Sequence, residues 1–523
     1  MSKNEVVAKR RGGRQARREL RAAPIPAEER PVQPGMVGGL YQPLSERDKR
    51  RIHQAALDML GRIGLVDAIP SCMELVTEAG GTLSEEGRLL FPRALVEDTL
   101  AKAARRFPLY AQDPARDIEP WGKRVYFGTA GAAVHIVDAE TGAYRESALA
   151  DLYDIARLVD KMEHIHFFQR PIVLRDMTEP RELDLNTCYA AVAGTTKHVG
   201  TSFFQPEHVD EAIDMLHLIA GGEDKWRARP FVSMSTCFVV PPLKFAEDAC
   251  RCLEAAVRGG MPILLLAAGQ AGATSPAALA GAVAQEVAEV LAGLVYVNLI
   301  SPGHPCLFGS WPFVSDLRTG AMSGGSGEQA VLSAACAQMA HFYDLPGAVP
   351  AGMTDSKVPD AQSGFEKGYT VALAAQAGGN LIYEAAGMHA SLLGFCFESC
   401  VIDNDMLGAI MRTVRGIEVT DDNLSVEAVR QVCIEGPGHF LGHPQTLELM
   451  EKDYVYPDVA DRTSPKEWLE QGSTNVVQRA RKRTQEILAS HYPHHIDPDV
   501  DARIRQNFPI RLPLRNMSPK AGC

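Results

Sequence analysis

Gly352-Met353-Thr354-Asp355-Ser356-Lys357-Val358-Pro359-Asp360-Ala361-Gln362 follows a short apolar run from Gly347 to Ala351 and precedes an Ala- and Gly-rich helical pattern from Gly364 to Gly378. A strand opening into a helix has this form, and α/β enzymes place working side chains where a strand's C-terminal end meets the next loop. Thr354, Asp355, Ser356, Lys357, Asp360 and Gln362 put six polar side chains into nine residues, more than a connecting turn requires. Asp360 alone also reads as the cap of the following helix. The stretch as a whole predicts a strand-end binding site.

Outward from it the same beat repeats. Apolar strands are predicted at 165–171, 198–203, 231–236, 262–268, 307–311, 348–352 and 381–385. Helices alternate with them at 183–193, 208–220, 244–257, 276–294, 327–342 and 364–377. Such alternation predicts parallel strands, and their number predicts an α/β fold of the TIM (β/α)8 barrel type over residues 151–419. The eighth strand is placed at 392–397, before a helix at 405–415. An open doubly wound sheet is the alternative, but no Gly-rich dinucleotide fingerprint follows any strand. Gly320 to Gly327 lacks the Lys-Ser/Thr ending of a phosphate-binding loop.

The flanks differ. Residues 1–36 form a basic, Pro-containing arm, with Lys3, Lys9, Arg10, Arg11, Arg14, Arg17, Arg18 and Arg21 against Glu5 and Glu19 up to position 21. Residues 37–150 read as an N-terminal α+β layer of helices at 44–63 and 92–106 and a hairpin turn at 83–89. Val125 to Phe127 and His135 to Asp138 flank the turn Gly128 to Gly131. From 420 to 523 the beat stops, and the chain is expected to wrap the barrel.

Composition narrows the class. At 46% hydrophobic and 23% charged, the 523 residues suit a globular protein, and a net charge of -12 excludes nucleic acid as the main partner. No 18-residue uncharged apolar run is present and Met1 is not followed by an apolar signal core, so neither membrane span nor export is expected. Eleven scattered cysteines predict reduced thiols and a cytoplasmic setting.

Strand-end position nominates Gln169 and Arg170, Ser202, Phe203 and Phe204, Ser235 and Thr236, Gln270, Ser310 and Trp311, the stretch from 353 to 362, and Glu384 and His389. Aromatic and acidic groups recur in this set, and they suit a cation: ring faces and carboxylates both attract an ammonium group. Strand alternation is expected to turn one of Phe203 and Phe204 into the core. No strand end pairs His with His or Cys at metal-ligand spacing, so no metal is expected. His439 with His443 and His491 with His495 have His-x-x-x-His spacing but sit among Gly or Pro, with no Glu after the first His. No Gly-x-Ser-x-Gly elbow supports serine hydrolysis.

Four stretches, in order, resemble the trimethylamine methyltransferase family in its branch without pyrrolysine. They are Arg10-Arg11-Gly12-Gly13-Arg14, Phe127-Gly128-Thr129-Ala130-Gly131, Thr354-Asp355-Ser356-Lys357 with Asp360-Ala361-Gln362, and Glu435-Gly436-Pro437-Gly438-His439-Phe440. The resemblance implies a TIM barrel that passes a methyl group from a methylated amine to the Co(I) of a corrinoid protein. That protein would bring the cobalamin, so no permanently bound cofactor is implied. Relatives with ordinary residues throughout, as here, act on quaternary amines such as glycine betaine, proline betaine or carnitine.

On this reading Asp355, Glu384 and His389 are the expected catalytic groups. Phe203, Trp311, Gln169, Arg170, Lys357 and Thr236 are expected on the substrate, with Lys357, Arg170 or His389 anchoring any substrate carboxylate. Thr354, Ser356, Asp360, Gln362, Gly128 and Thr129 are expected to face the corrinoid. A homo-oligomer is expected. Two other readings stay open: another barrel reaction, such as zinc-dependent methyl transfer or a decarboxylation, and a betaine-binding barrel without catalysis.

Overall fold

The computed structural model describes Arg30 and residues 32–519, so the basic run from Lys3 to Arg21 lies outside the described residues. Eight parallel strands form the central sheet: β1 Arg124–Phe127, β2 Phe168–Gln169, β3 Val199–Thr201, β4 Val232–Thr236, β5 Ile263–Ala267, β6 Cys306–Ser310, β7 Gly347–Pro350 and β8 Leu381–Tyr383. Each is followed by a helix: α1 Leu149–Asp160, α2 Pro180–Gly194, α3 Pro206–Ala220, α4 Glu247–Arg258, α5 Leu279–Ile300, α6 Gly327–Phe342, α7 Ala361–Gln376 and α8 Phe397–Arg415. Neighbours pair in chain order from β2 to β8, and β8 then pairs in parallel with β1. A parallel bridge from Gly128 to Phe167 closes the ring between β1 and β2. The fold is the expected TIM barrel.

The eighth stave is not where the sequence put it. Arg124–Phe127, read as part of the N-terminal layer, is the first barrel strand, so the barrel begins before residue 151. The segment expected to be the eighth strand contributes only Gly394–Phe395, paired with His135–Val137 in a small separate sheet. The cause is the hairpin His135–Val137 and Tyr144–Glu146, inserted between β1 and α1, which hides the βα spacing.

Side chains finish the seam where main-chain pairing runs out. The Phe127 N–H donates to His166 Nδ1 at 2.9 Å and the His166 N–H donates to the Phe127 carbonyl at 2.7 Å. Burial holds the His166 pKa well below its ordinary value, which keeps Nδ1 free to accept. The Thr129 hydroxyl donates to the Gln169 carbonyl at 2.7 Å and accepts from the Gln169 N–H at 3.1 Å. A Cβ on Gly128 would stand 2.1 Å from the Phe167 ring, so only glycine fits the closure.

Helix α5 is apolar on almost every side. By length and composition it is able to cross a membrane, yet 89% of its most apolar window is buried inside the protein. It packs beneath the N-terminal helices Glu46–Arg62, Pro70–Glu78 and Arg93–Lys102, which is why it carries no polar face. Those helices, with the hairpin Thr82–Leu83 and Leu89–Leu90, are the expected layer.

The larger compact unit comprises Pro34–Arg415 and Pro457–Cys523; Gly416–Tyr456 belongs to a second unit. Within the larger unit, helix Val476–Ser490 lies along α8 and α1, and Arg157 donates to the carbonyls of Leu488 at 2.6 Å and His491 at 3.0 Å. Asp160 takes His491 at 2.8 Å, and His495 meets the Val192 carbonyl. Both histidines serve the packing of this segment.

A candidate active site at the barrel mouth

A cavity of about 340 Å³ opens at the C-terminal ends of the strands, a size suited to one small organic molecule. Glu384, the first residue after β8, sets its chemistry. Its φ is +64°, a left-handed conformation that side chains rarely adopt and that clusters at functional sites. The side chain is buried, and neither carboxylate oxygen has a hydrogen-bond partner. Burial pushes its pKa up to about 8. An unpartnered buried carboxylate is costly unless a ligand supplies the missing charge.

Aromatic surface surrounds it. Trp311 follows β6 and is held by its N–H to the Ala267 carbonyl at 2.9 Å. Pro312 ends the strand, and Gln329 from α6 binds the Pro312 carbonyl at 2.6 Å, fixing the turn that presents Trp311 and Phe313 to the cavity. The Trp311 ring lies 5.3 Å from Tyr383 and 6.5 Å from Phe313, between centroids. Phe203 and Phe204 both line the mouth, against the alternation that was expected to bury one. The loop backbone starts at Ser202, and Asp184 pins it by accepting from the Phe204 N–H at 2.9 Å and from His208 at 2.7 Å.

One cation faces the same space. Arg170 donates to the Ser202 hydroxyl at 2.8 Å and to the Ile172 carbonyl at 3.2 Å, while its Nε is buried without a partner. Burial lowers its pKa, yet a guanidinium remains charged throughout the physiological range. Gln169 and Thr236 line the same cavity. A Cβ at Gly200 would meet Gln169 Oε1 at 1.7 Å, so that glycine in β3 makes room for the Gln169 side chain.

The structure thus brings together Gln169, Arg170, Ser202, Phe203, Phe204, Ser235, Thr236, Trp311 and Glu384. The other nominated residues are outside the cavity lining, and the polar side chains around Asp355 are engaged in the fold. Asp355 accepts from the Ser323 hydroxyl at 2.6 Å, the Gly324 N–H at 2.8 Å and the Ser391 hydroxyl at 2.8 Å. Thr354 donates to Glu366, Ser356 to the Val358 carbonyl, and Lys357 to the Asp355 carbonyl. Asp360 caps α7 through the Ser363 N–H, and Gln362 reaches Glu366. His389 is buried between Ser399, at 2.6 Å, and the Ser356 carbonyl; burial, and then the Lys367 charge, drive its pKa down to about 2. A ring locked neutral is a poor proton carrier. Gly128 and Thr129 close the barrel seam.

Cys237 and Leu392 line the cavity and were not foreseen. For Cys237 the signal was its place just past β4. Leu392 arrives only through the loop after β8, which spacing does not reveal.

A family model described as trimethylamine methyltransferase (MTTB) matches residues 10–511. The chain belongs to the trimethylamine methyltransferase family. It is 32% identical over 462 residues to "Trimethylamine methyltransferase MttB" of Desulfitobacterium hafniense (strain DSM 10664 / DCB-2), covering 88% of this chain and 92% of that one. The protein of the same name from Methanosarcina thermophila is also 32% identical, over 87% of this chain and 94% of that one. "Glycine betaine methyltransferase" of Desulfitobacterium hafniense (strain Y51) is 28% identical, over 89% and 96%. A dihydropteroate synthase of Xanthomonas albilineans covers 60% of this chain and 99% of its own at 14% identity and a TM-score of 0.35, too distant to inform the site. Membership makes the chain a methyltransferase, with its cavity at the end of the barrel where such enzymes work.

Proposed function

We propose that the chain takes a methyl group from a betaine-like quaternary amine and delivers it to the Co(I) of a corrinoid protein. The observation that carries this reading is Glu384: a buried carboxylate without a partner, facing an aromatic-walled cavity that also holds Arg170. A quaternary ammonium cannot donate hydrogen bonds, so ring faces and one anion are its natural surroundings. Arg170 suits the carboxylate of a zwitterion, whereas Lys357 and His389, also expected in that role, do not line the cavity.

Co(I) supplies the electron pair that takes the methyl. The C–N bonding pair stays on nitrogen, and a neutral tertiary amine leaves. The protein's part is to orient the ammonium and exclude water. Charge loss at nitrogen removes the partner of Glu384, which then takes up a proton, and this favours product release. A partner corrinoid protein and reduced cysteines both fit a cytoplasmic setting.

The test supplies reduced corrinoid protein with glycine betaine, proline betaine, carnitine or trimethylamine and follows Co(I) absorbance. A fall with at least one carboxylate-bearing quaternary amine is expected. A signal that persists with all of them, or falls with trimethylamine alone, overturns the reading.

A further inference from the structure

Cys237 is the first residue after β4 and, among the described residues, the one thiol in the lining of the cavity. It is exposed, whereas the other cysteines of the barrel are buried. Its backbone has little freedom to withdraw the side chain. Thr236 before it ends the buried ladder of β4, and Phe238 after it is locked into the core. A Cβ on Gly293 of α5 would stand 2.4 Å from the Phe238 ring, and the Phe238 carbonyl accepts from the Ala246 N–H at 2.9 Å.

The surroundings of this thiol are built for a charged occupant. Glu384 is 1% exposed with both oxygens unpartnered, and Arg170 Nε has no partner either. Burial pushes the Cys237 thiol up to about 11, against the pull of the Arg170 charge and with a push from Glu286 and Glu384, so thiol, guanidinium and carboxylate share one neighbourhood. A thiol held protonated is a slow nucleophile, and an occupant docked beside it is what lets it react.

We propose that Cys237 is a modification site at which a disulfide of the amino-acid type, bearing an ammonium and a carboxylate, leaves one half in the cavity as a mixed disulfide. This regulation of the site rests on the pairing proposed above, Glu384 with an ammonium and Arg170 with a carboxylate. A primary ammonium also donates hydrogen bonds to the open oxygens of Glu384, which a quaternary one cannot. The Cys237 thiolate attacks one sulfur, and a new S–S bond joins Cys237 to that half. The old S–S bond breaks, and its electron pair leaves on the other half as a thiolate, which takes up a proton. With no second thiol in the lining, the adduct waits for a thiol from solution to release it. A reaction that consumes Co(I) runs only in reducing surroundings, and a blockage made by disulfides and undone by thiols follows the same condition.

The experiment incubates the reduced full-length chain with cystine, cystamine or dithiodiglycolate, which carry the zwitterion, the ammonium alone and the carboxylate alone. Adducts are located by intact and peptide mass. Each rate is divided by that of the same disulfide with N-acetylcysteine, which removes intrinsic reactivity. Cystine is expected to modify Cys237 about tenfold or more faster than either of the others, the worth of one hydrogen bond to a charged group. Dithiothreitol is expected to remove the adduct, and Cys237→Ser to take none at that position. The order of the three disulfides is read on the wild type and decides the matter should the Ser variant not fold. Neither corrinoid protein nor methyl transfer enters the measurement, so its failure and the failure of the methyl-transfer reading are told apart. Equal corrected rates for the three disulfides, adducts confined to other cysteines, or an unmodified Cys237 each overturns the proposal.

Discussion

The Ser391 hydroxyl donates to Asp355 Oδ1 at 2.8 Å, and through it the loop after β8 is tied to the loop after β7. Asp355 Oδ2 holds Ser323 at 2.6 Å and so adds the loop after β6. Ala390 and Ser391 keep φ values of +48° and +60° under this restraint, strain that persists only where surroundings impose it. Hydrogen bonds to a charged group contribute about 1.5–3 kcal/mol each, so Asp355→Ala should raise the KM for the amine by about tenfold or more. Steady-state kinetics check it; an unchanged KM would remove Asp355 from the control of the mouth.

Glu384 should give the enzyme its pH dependence. With its pKa near 8, only the ionised form attracts a permanent cation, so affinity rises with pH up to about 8 and levels off above. Glu384→Gln should flatten that profile and weaken binding at pH 9. Stability moves oppositely. The folded-state pKa is raised, so this carboxyl's contribution is full below the unfolded value of about 4.5 and is lost as pH rises through 8. Above pH 8 the Gln variant should be more stable than the wild type, by up to about 5 kcal/mol. Unfolding midpoints at pH 6 and pH 9 decide.

Trp311→Ala removes a desolvated ring face worth ~2 kcal/mol to a cation. The dissociation constant for a quaternary amine should rise about thirtyfold, read by calorimetry. An uncharged isostere of the same shape should lose far less, and equal losses for both would assign Trp311 to packing alone.

Arg170→Met should separate substrates. If Arg170 meets a carboxylate, betaines lose ~1.5–3 kcal/mol of binding while tetramethylammonium is nearly unaffected. Equal effects on both would show that Arg170 only shapes the loop at Ser202.

The barrel was legible because each βα unit repeats one physical pattern, a buried strand followed by an amphipathic helix. Trp311 and Glu384 were legible because both sit just past an apolar run. What was hidden depended on pairing across distance. Arg124–Phe127 is too short to announce itself and is cut off from α1 by an inserted hairpin. The polar stretch around Asp355 looked like a ligand site because two of its partners, Ser323 and Ser391, lie 32 and 36 residues away in sequence, and the third, Glu366, turns back onto it from the next helix. Gly325 gives the same lesson: a Cβ there would meet Glu366 Oε2 at 2.3 Å, so the glycines of 320–327 allow close loop packing where a phosphate site was rejected.

The Thr129 hydroxyl and the His166 ring stand in for rungs that the first two staves do not supply. Amide protons along that edge should exchange sooner than those of β5 and β6, where the ladder runs unbroken over five residues. Gln169 belongs both to that edge and to the lining of the cavity, so a breach there disarms the enzyme before the rest of the cylinder has begun to melt.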